Sequence, residues 1–169
     1  MNFSVKTISR AAVVAALYAA LCFFLKPLSF GVIQLRIAEV LCTLPIFMPE
    51  AVLGLFIGCV ISNLLGGASV VLLDAILGSL TTLVAAILTW HLYKKTSNML
   101  IAFLPPVILN GLVVGTYVPF IYTDFSFAQS PVILLFSMVS VALGEAIVIY
   151  VLGLPFSKAL KRSNFLTFR

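Results

Sequence analysis

Four long stretches, Ala51–Leu73, Ala75–Tyr93, Thr96–Thr123 and Phe125–Gly144, carry no charged residue at all. Each is about as long as the roughly 20 apolar residues that an α-helix needs to cross a bilayer. In hydrocarbon every backbone polar group must find its partner internally, so such runs fold as helices. The rest of the composition agrees: 63% of the residues are hydrophobic and 9% charged, against roughly 45–50% and about 25% in a soluble domain. Polar side chains are too few to cover a water-facing surface. The expected class is an all-α integral membrane protein.

Breaks in the apolar pattern divide residues 1–169 into one membrane domain of six predicted spans, about 8–25, 34–48, 50–65, 70–93, 99–121 and 131–154. The "KPLSFG" segment ends the first span, and Gly66-Gly67 the third. In "MPEA", Pro49 and Glu50 suit the first turn of a helix. "KKTSN" ends the fourth span, and the basic tail "SKALKRSNFLTFR" follows the sixth. The second and third spans are short enough to form a broken or re-entrant pair instead; two short helices are the preferred reading. No cleavable signal peptide is expected, since the run after Arg10 leads into "FFLKPLSFG" without a small-residue cleavage site.

With the N-terminus inside, the inner segments hold Lys6, Arg10, Lys94, Lys95, Lys158, Lys161, Arg162 and Arg169, and the outer ones Lys26 and Arg36. This bias predicts cytoplasmic termini. The net charge of +5 is spread over span ends rather than gathered in a patch, which argues against nucleic acid. Cys22, Cys42 and Cys59 lie in separate spans without CxxC spacing and read as buried small hydrophobes. The chain lacks GxxxxGK[ST], so it has no ATP-binding loop of its own. His91 is the only histidine and sits beside Trp90 at a predicted boundary, which excludes a histidine-built metal or catalytic centre. No enzyme is expected.

The polar residues inside the spans carry the functional argument. Arg36 and Glu39, Asn63, Asp74, Asn110 and Glu145 fall on five different spans, four of the six near outer ends. Ionisable groups in a membrane are costly and face an interior or a water-filled path. Arg36 and Glu39, at i,i+3, either pair with each other or line an outward cavity. Asp74 either balances Arg36 or faces that cavity. Glu145 has charge-free sequence on both sides. Asn63 and Asn110 either bond across helices or contribute to the pocket. Tyr117, Phe120, Tyr122, Phe125 and Phe127 crowd the outer end of the fifth span, as interface anchors or as a stacking wall for a flat ligand. In the first span, alanines recur at Ala11, Ala15 and Ala19 and at Ala12, Ala16 and Ala20. Such stripes allow close helix approach, within this protein or against another membrane subunit.

These features together resemble the S-components of energy-coupling-factor (ECF) transporters. Within them, "PLSFGVIQLRIAEVLCTLPIFMPEAVLGLFIGCVISNLLGG" followed by "LLDAILGSLTTLVAAIL" looks like the queuosine-precursor transporter family, QueT. The resemblance covers nearly the whole chain and is most specific from Leu28 to Leu88. It implies a multi-pass protein of the bacterial cell membrane that captures a 7-deazaguanine base outside. It further implies docking, through the alanine stripes, to a membrane scaffold subunit whose two cytoplasmic ATPases use the ATP, with no cofactor in this chain. In that setting Glu145 or Glu39 would accept the N1–H and 2-amino edge of the base, and Asn63, Asn110 or Arg36 would donate to O6. Tyr117 would stack, and Asp74 would meet an aminomethyl cation. Arg36 would alternatively hold Glu39 in place. The rival reading is a proton-coupled secondary transporter with Glu39, Asp74 and Glu145 as a relay. A purely structural subunit, binding no small molecule, is the remaining alternative.

Overall fold

A computed structural model describes residues 4–29, 35–66, 71–122 and 129–163. Among these the chain is helical, without strands. The principal helices are α1 (Val5–Phe24), α2 (Ile37–Ile46), α3 (Ala51–Gly66), α4 (Asp74–Thr96), α5 (Met99–Ile121) and α6 (Pro131–Ser163). Four of them, α1, α4, α5 and α6, are long and apolar enough to cross a membrane; α2 and α3 are shorter. Large apolar side chains point outward along the bundle, among them Phe24 at 79%, Leu72 at 72% and Val132 at 76% exposure. A water-facing protein does not present apolar surface on that scale.

Local chemistry sets the helix ends. Ser4 caps α1, its Oγ accepting from the Thr7 N–H at 3.2 Å. At the "KKTSN" break Ser97 takes a left-handed conformation with φ 53°, and its N–H donates to Tyr93 O at 2.8 Å. Asn98 then caps α5 by accepting from the Leu100 N–H at 2.9 Å. Pro105 and Pro106 sit just after an interruption at Phe103, where prolines at the start of a helical segment forfeit no hydrogen bond. The sixth predicted span stops at 154, whereas α6 continues to Ser163. Its last turns are amphipathic, with Ser157 buried and Lys161 reaching the Tyr93 hydroxyl at 3.5 Å, so the basic tail begins as helix.

The second segment departs most from expectation. A membrane helix over 34–48 is predicted; the described helix is a 3₁₀ helix of 10 residues. Pro45 lies inside it, and an α-helical winding there would drive the ring into the carbonyl four residues back. At about 2 Å rise per residue it is only about 20 Å long. Seven of its residues, Ala38, Glu39 and Leu41 to Pro45, are buried, so α2 is a central post rather than a lipid-facing wall.

Close contacts fix the directions. Added Cβ atoms at Gly54 and Gly58 would lie 2.5 Å from Ala11 O and 2.8 Å from Ala15 O, so α1 and α3 run parallel in intimate contact. Cys59 faces Thr82 and Asn63 faces Asp74, so α4 runs back along α3. Gly111 packs on Ala142 and Gly115 on Met138, which makes α5 and α6 antiparallel neighbours. The main core joins α1 to α4 with the first half of α5 and the second half of α6, around Tyr18, Cys42, Leu55, Phe103 and Ile149. A separate small cluster, Val114, Tyr117, Val118 and Val141, ties the other halves of α5 and α6 together.

Candidate functional site

Two polar clusters meet at the end of the bundle where α2 and α4 begin and α3 ends. The first is built on Asp74. Its Oδ2 accepts from Arg36 Nη2 at 3.0 Å, and its Oδ1 accepts from the same nitrogen at 3.3 Å and from the Tyr117 hydroxyl at 2.6 Å. Asn63 Nδ2 donates to the Asp74 backbone carbonyl at 2.8 Å. Arg36 Nε also donates to Ser29 O at 3.4 Å. The ion pair is deeply buried, at 6% and 5% side-chain exposure. Gly78 makes room for it, since a Cβ there would lie 2.9 Å from both Asp74 Oδ1 and the Tyr117 hydroxyl.

The second cluster is built on Glu39, 1% exposed. The Tyr18 hydroxyl donates to its Oε1, and Cys42 Sγ donates to its Oε2 at 2.7 Å. The 3₁₀ winding explains the second contact, because residues three apart eclipse in such a helix. Arg36, Glu39, Asn110, Val114, Val141 and Glu145 enclose a cavity of about 10 Å³, room for no more than one water. Glu145 and Asn110 are 6% and 5% exposed. The Asn110 amide faces the Glu145 carboxyl, whose Oε1 has no hydrogen-bond partner.

Three helices depart from α geometry beside these residues. π-Helical segments run Asp74–Gly78, Asn110–Val114 and Ile147–Gly153, the last starting two residues after Glu145. Such widened turns recur at functional sites because they re-aim side chains.

The structure thus brings Arg36, Glu39, Asn110 and Glu145 around one cavity and joins Asn63, Asp74 and Tyr117 to it through Arg36. Of the two roles left open for Asp74, it does balance Arg36. Tyr117 does not present a free ring: it is 7% exposed with its hydroxyl on Asp74. Phe120 is 37% exposed. Gln34, the side chain of Tyr122, Phe125 and Phe127 lie outside the described residues. Sequence reasoning missed Tyr18, Cys42 and Gly78. Tyr18 stands seven residues after Ala11, on the α1 face toward α3, and its position among small residues was the available signal.

The alanine stripes separate. Ala11 and Ala15 are buried against α3, while Ala12 and Ala16 are exposed. All four border an apolar groove of about 580 Å³ between α1 and α3, completed by Leu53, Ile57 and Ile61. Ala19 lines a different small cleft, with Phe23, Lys26 and Ser62. Ala20 is half-buried and borders neither. Among the described residues no group of His, Cys, Asp and Glu is placed to hold a metal ion. Cys22, Cys42 and Cys59 are free and buried.

Comparison with known proteins places this arrangement. The family described as QueT transporter matches residues 8–162, which includes every residue of both clusters. The Queuosine precursor transporter QueT of Lactococcus lactis subsp. cremoris (strain MG1363) is 41% identical over 75 residues. That alignment covers 43% of this chain and 43% of the relative, less than half of either. No solved structure matches the chain. The family is one of transporters and not of enzymes, and its match with a chain of several membrane-length helices identifies a multi-pass bacterial membrane protein. The chain belongs to the QueT transporter family.

Proposed function

We propose that this protein is the substrate-binding S-component of an ECF-type importer and captures a 7-deazaguanine base, a queuosine precursor, from outside the cell. The observation that carries the reading is the convergence of buried Arg36, Glu39, Asn110 and Glu145 on one cavity in a member of a transporter family. Flat, polar heterocycles are recognised by such a set, through a few hydrogen bonds fixed in an otherwise apolar surround. The name of the Lactococcus relative supports the substrate class.

Topology fits this role. In the proposed arrangement all six segments cross or enter the bilayer and both termini are cytoplasmic. Arg36, Asn63, Asp74 and Tyr117 then gather at the outer end. Arg10, which pairs with Glu50 at 2.9 Å, and Lys161, which reaches Tyr93, gather at the inner end. Lys94 stacks over the Trp90 ring at 4.0 Å, an anchor suited to the inner interface.

A bicyclic base does not fit a space of about 10 Å³. Entry therefore requires the cavity to open, and in this scheme the outer halves of α5 and α6 move away from α2. The division between the two hydrophobic clusters supplies the seam, and the bond from Tyr117 to Asp74 crosses it. Coupling belongs to the groove between α1 and α3, where exposed Ala12 and Ala16 admit close approach of a scaffold helix. In this scheme ATP is used by the two ATPases bound to that scaffold, and this chain needs no cofactor.

Isothermal titration of the purified chain with aminomethyl-, cyano- and unsubstituted 7-deazaguanine, and with guanine as control, tests the reading. Tight binding of one base without any partner is the expected result. A folded sample that binds none of them, but transports in response to a pH gradient alone, would establish the proton-coupled alternative.

A further inference from the structure

Four carboxylates or amides reach the cavity or its Arg36 neighbour, and their hydrogen-bonding states differ. Both oxygens of Asp74 are engaged, by Arg36 and Tyr117. Both oxygens of Glu39 are engaged, by Tyr18 and Cys42. Glu145 and Asn110 line the cavity and face each other, and Glu145 Oε1 is buried without a partner. The other buried polar atoms without partners, on Ser29, Asn63, Ser79, Thr89, Ser137 and Ser157, belong to residues that do not line it. Unpaired buried polar atoms are destabilising, and completion by a ligand is one of the reasons natural structures keep them.

From this pattern we infer that Glu145 and Asn110 are the specificity-determining pair of the site, reading a donor–donor–acceptor edge on a planar ring, while Glu39 and Asp74 are positioning residues. The inference rests on the proposed function and narrows it. A carboxylate only accepts, and it can take two adjacent N–H groups at once. An amide nitrogen only donates. Side by side, they complement two N–H donors followed by a carbonyl, the order of 2-amino, N1–H and C6=O in a 7-deazaguanine. A 6-amino ring offers a ring nitrogen acceptor and a single exocyclic donor group, which leaves one carboxylate acceptor facing a lone pair. The arrangement of Glu39 fits the positioning role. Its two bonds run to α1 and within α2, and they hold the α2 wall of the cavity against the α1 packing face.

The test compares affinities of the wild-type chain for 7-deazaguanine, for 7-deazahypoxanthine, which lacks the 2-amino group, and for 7-deazaadenine. The expected order is strong, weaker by roughly tenfold or more, and undetectable, since a hydrogen bond to a charged group supports discrimination of about 10- to 100-fold. Glu145→Gln has one acceptor instead of two, so it is expected to bring the 7-deazaguanine to 7-deazahypoxanthine ratio close to one. Glu39→Gln is expected to weaken both bases while keeping the wild-type ratio. Wild-type protein that binds 7-deazaadenine as tightly as 7-deazaguanine overturns the inference without any variant. So does Glu145→Gln with an unchanged ratio, while the substrate reading stands. Wild-type protein that binds no 7-deazaguanine base overturns both together.

Discussion

Arg36 and Asp74 stand 38 positions apart, yet the guanidinium Nη2 lies 3.0 Å from the carboxylate Oδ2 with both side chains buried. The pair joins the start of α2 to the start of α4 and closes the site at that end of the bundle. Removing one member leaves an uncompensated buried charge, a loss of about 3–5 kcal/mol. Asp74→Asn and Arg36→Met are therefore each expected to lower the thermal midpoint in detergent strongly. The double variant Arg36→Met/Asp74→Leu removes both charges and is expected to be less destabilised than the sum of the Arg36→Met and Asp74→Leu losses. A double-mutant cycle by thermal unfolding measures this, and strict additivity would contradict the pairing.

Gly78 offers a gentler perturbation of the same cluster. The Cβ of Gly78→Ala would meet Asp74 Oδ1 and the Tyr117 hydroxyl at 2.9 Å and Asn63 Nδ2 at 3.2 Å. These are side-chain ends, so they shift rather than the backbone. Since those ends carry the buried Arg36 and Tyr117 bonds, stability is expected to fall by about 1–3 kcal/mol and base affinity several-fold. Titration beside a melting curve separates the two quantities; equal and small changes in both would show that the Asp74 cluster does not shape the cavity.

Much of this was readable in advance, for identifiable reasons. The charge-free runs dictated helices because hydrocarbon tolerates no unpaired backbone, and α5 lies over Met99–Ile121 where its pattern predicts 99–121. Arg36, Glu39, Asp74 and Glu145 stood out because charge is expensive in lipid. Their pairing stays open between alternatives in the sequence: Asp74 is one partner offered for Arg36 and does meet it, while Glu39, offered as another, is held by Tyr18 and Cys42. Spacing alone cannot show which of several carboxylates an arginine meets. The 3₁₀ winding of α2 is not legible in a span delimited by breaks in the apolar pattern, although Pro45 argues against a regular α-helix. Gly78 was missed because a glycine in an apolar run carries no chemistry until its neighbours are placed.

Tyr117 tests the seam between the two hydrophobic clusters. Its hydroxyl bond to Asp74 Oδ1, at 2.6 Å, crosses from the α5–α6 cluster to α4. Tyr117→Phe keeps the ring and removes that tie. The expected outcome is faster association of the base in stopped-flow measurements, because opening no longer breaks a bond worth about 1.5–3 kcal/mol to a charged acceptor. Association at the wild-type rate would mean that the outer halves of α5 and α6 do not control entry.

The two faces of α1 give opposite predictions, and the contrast separates folding from coupling. Gly58→Ala places a Cβ 2.8 Å from the Ala15 carbonyl oxygen and 2.8 Å from Tyr18 Cβ. Neither atom can swing aside, so α1 and α3 must separate, with a loss of about 1–3 kcal/mol. Tyr18 moves with α1, so Glu39 loses alignment and base binding weakens as well. Ala16 is exposed and borders the α1–α3 groove, whose open volume of about 580 Å³ has room for a larger side chain. Under the proposed function, Ala16→Trp is expected to keep the wild-type melting curve and base affinity while abolishing uptake into cells and co-purification with the proposed scaffold subunit. Uptake at the wild-type level in cells carrying Ala16→Trp would move the coupling surface away from this groove. Lost base binding in the same variant would instead mean that the groove and the outer site are one structural unit.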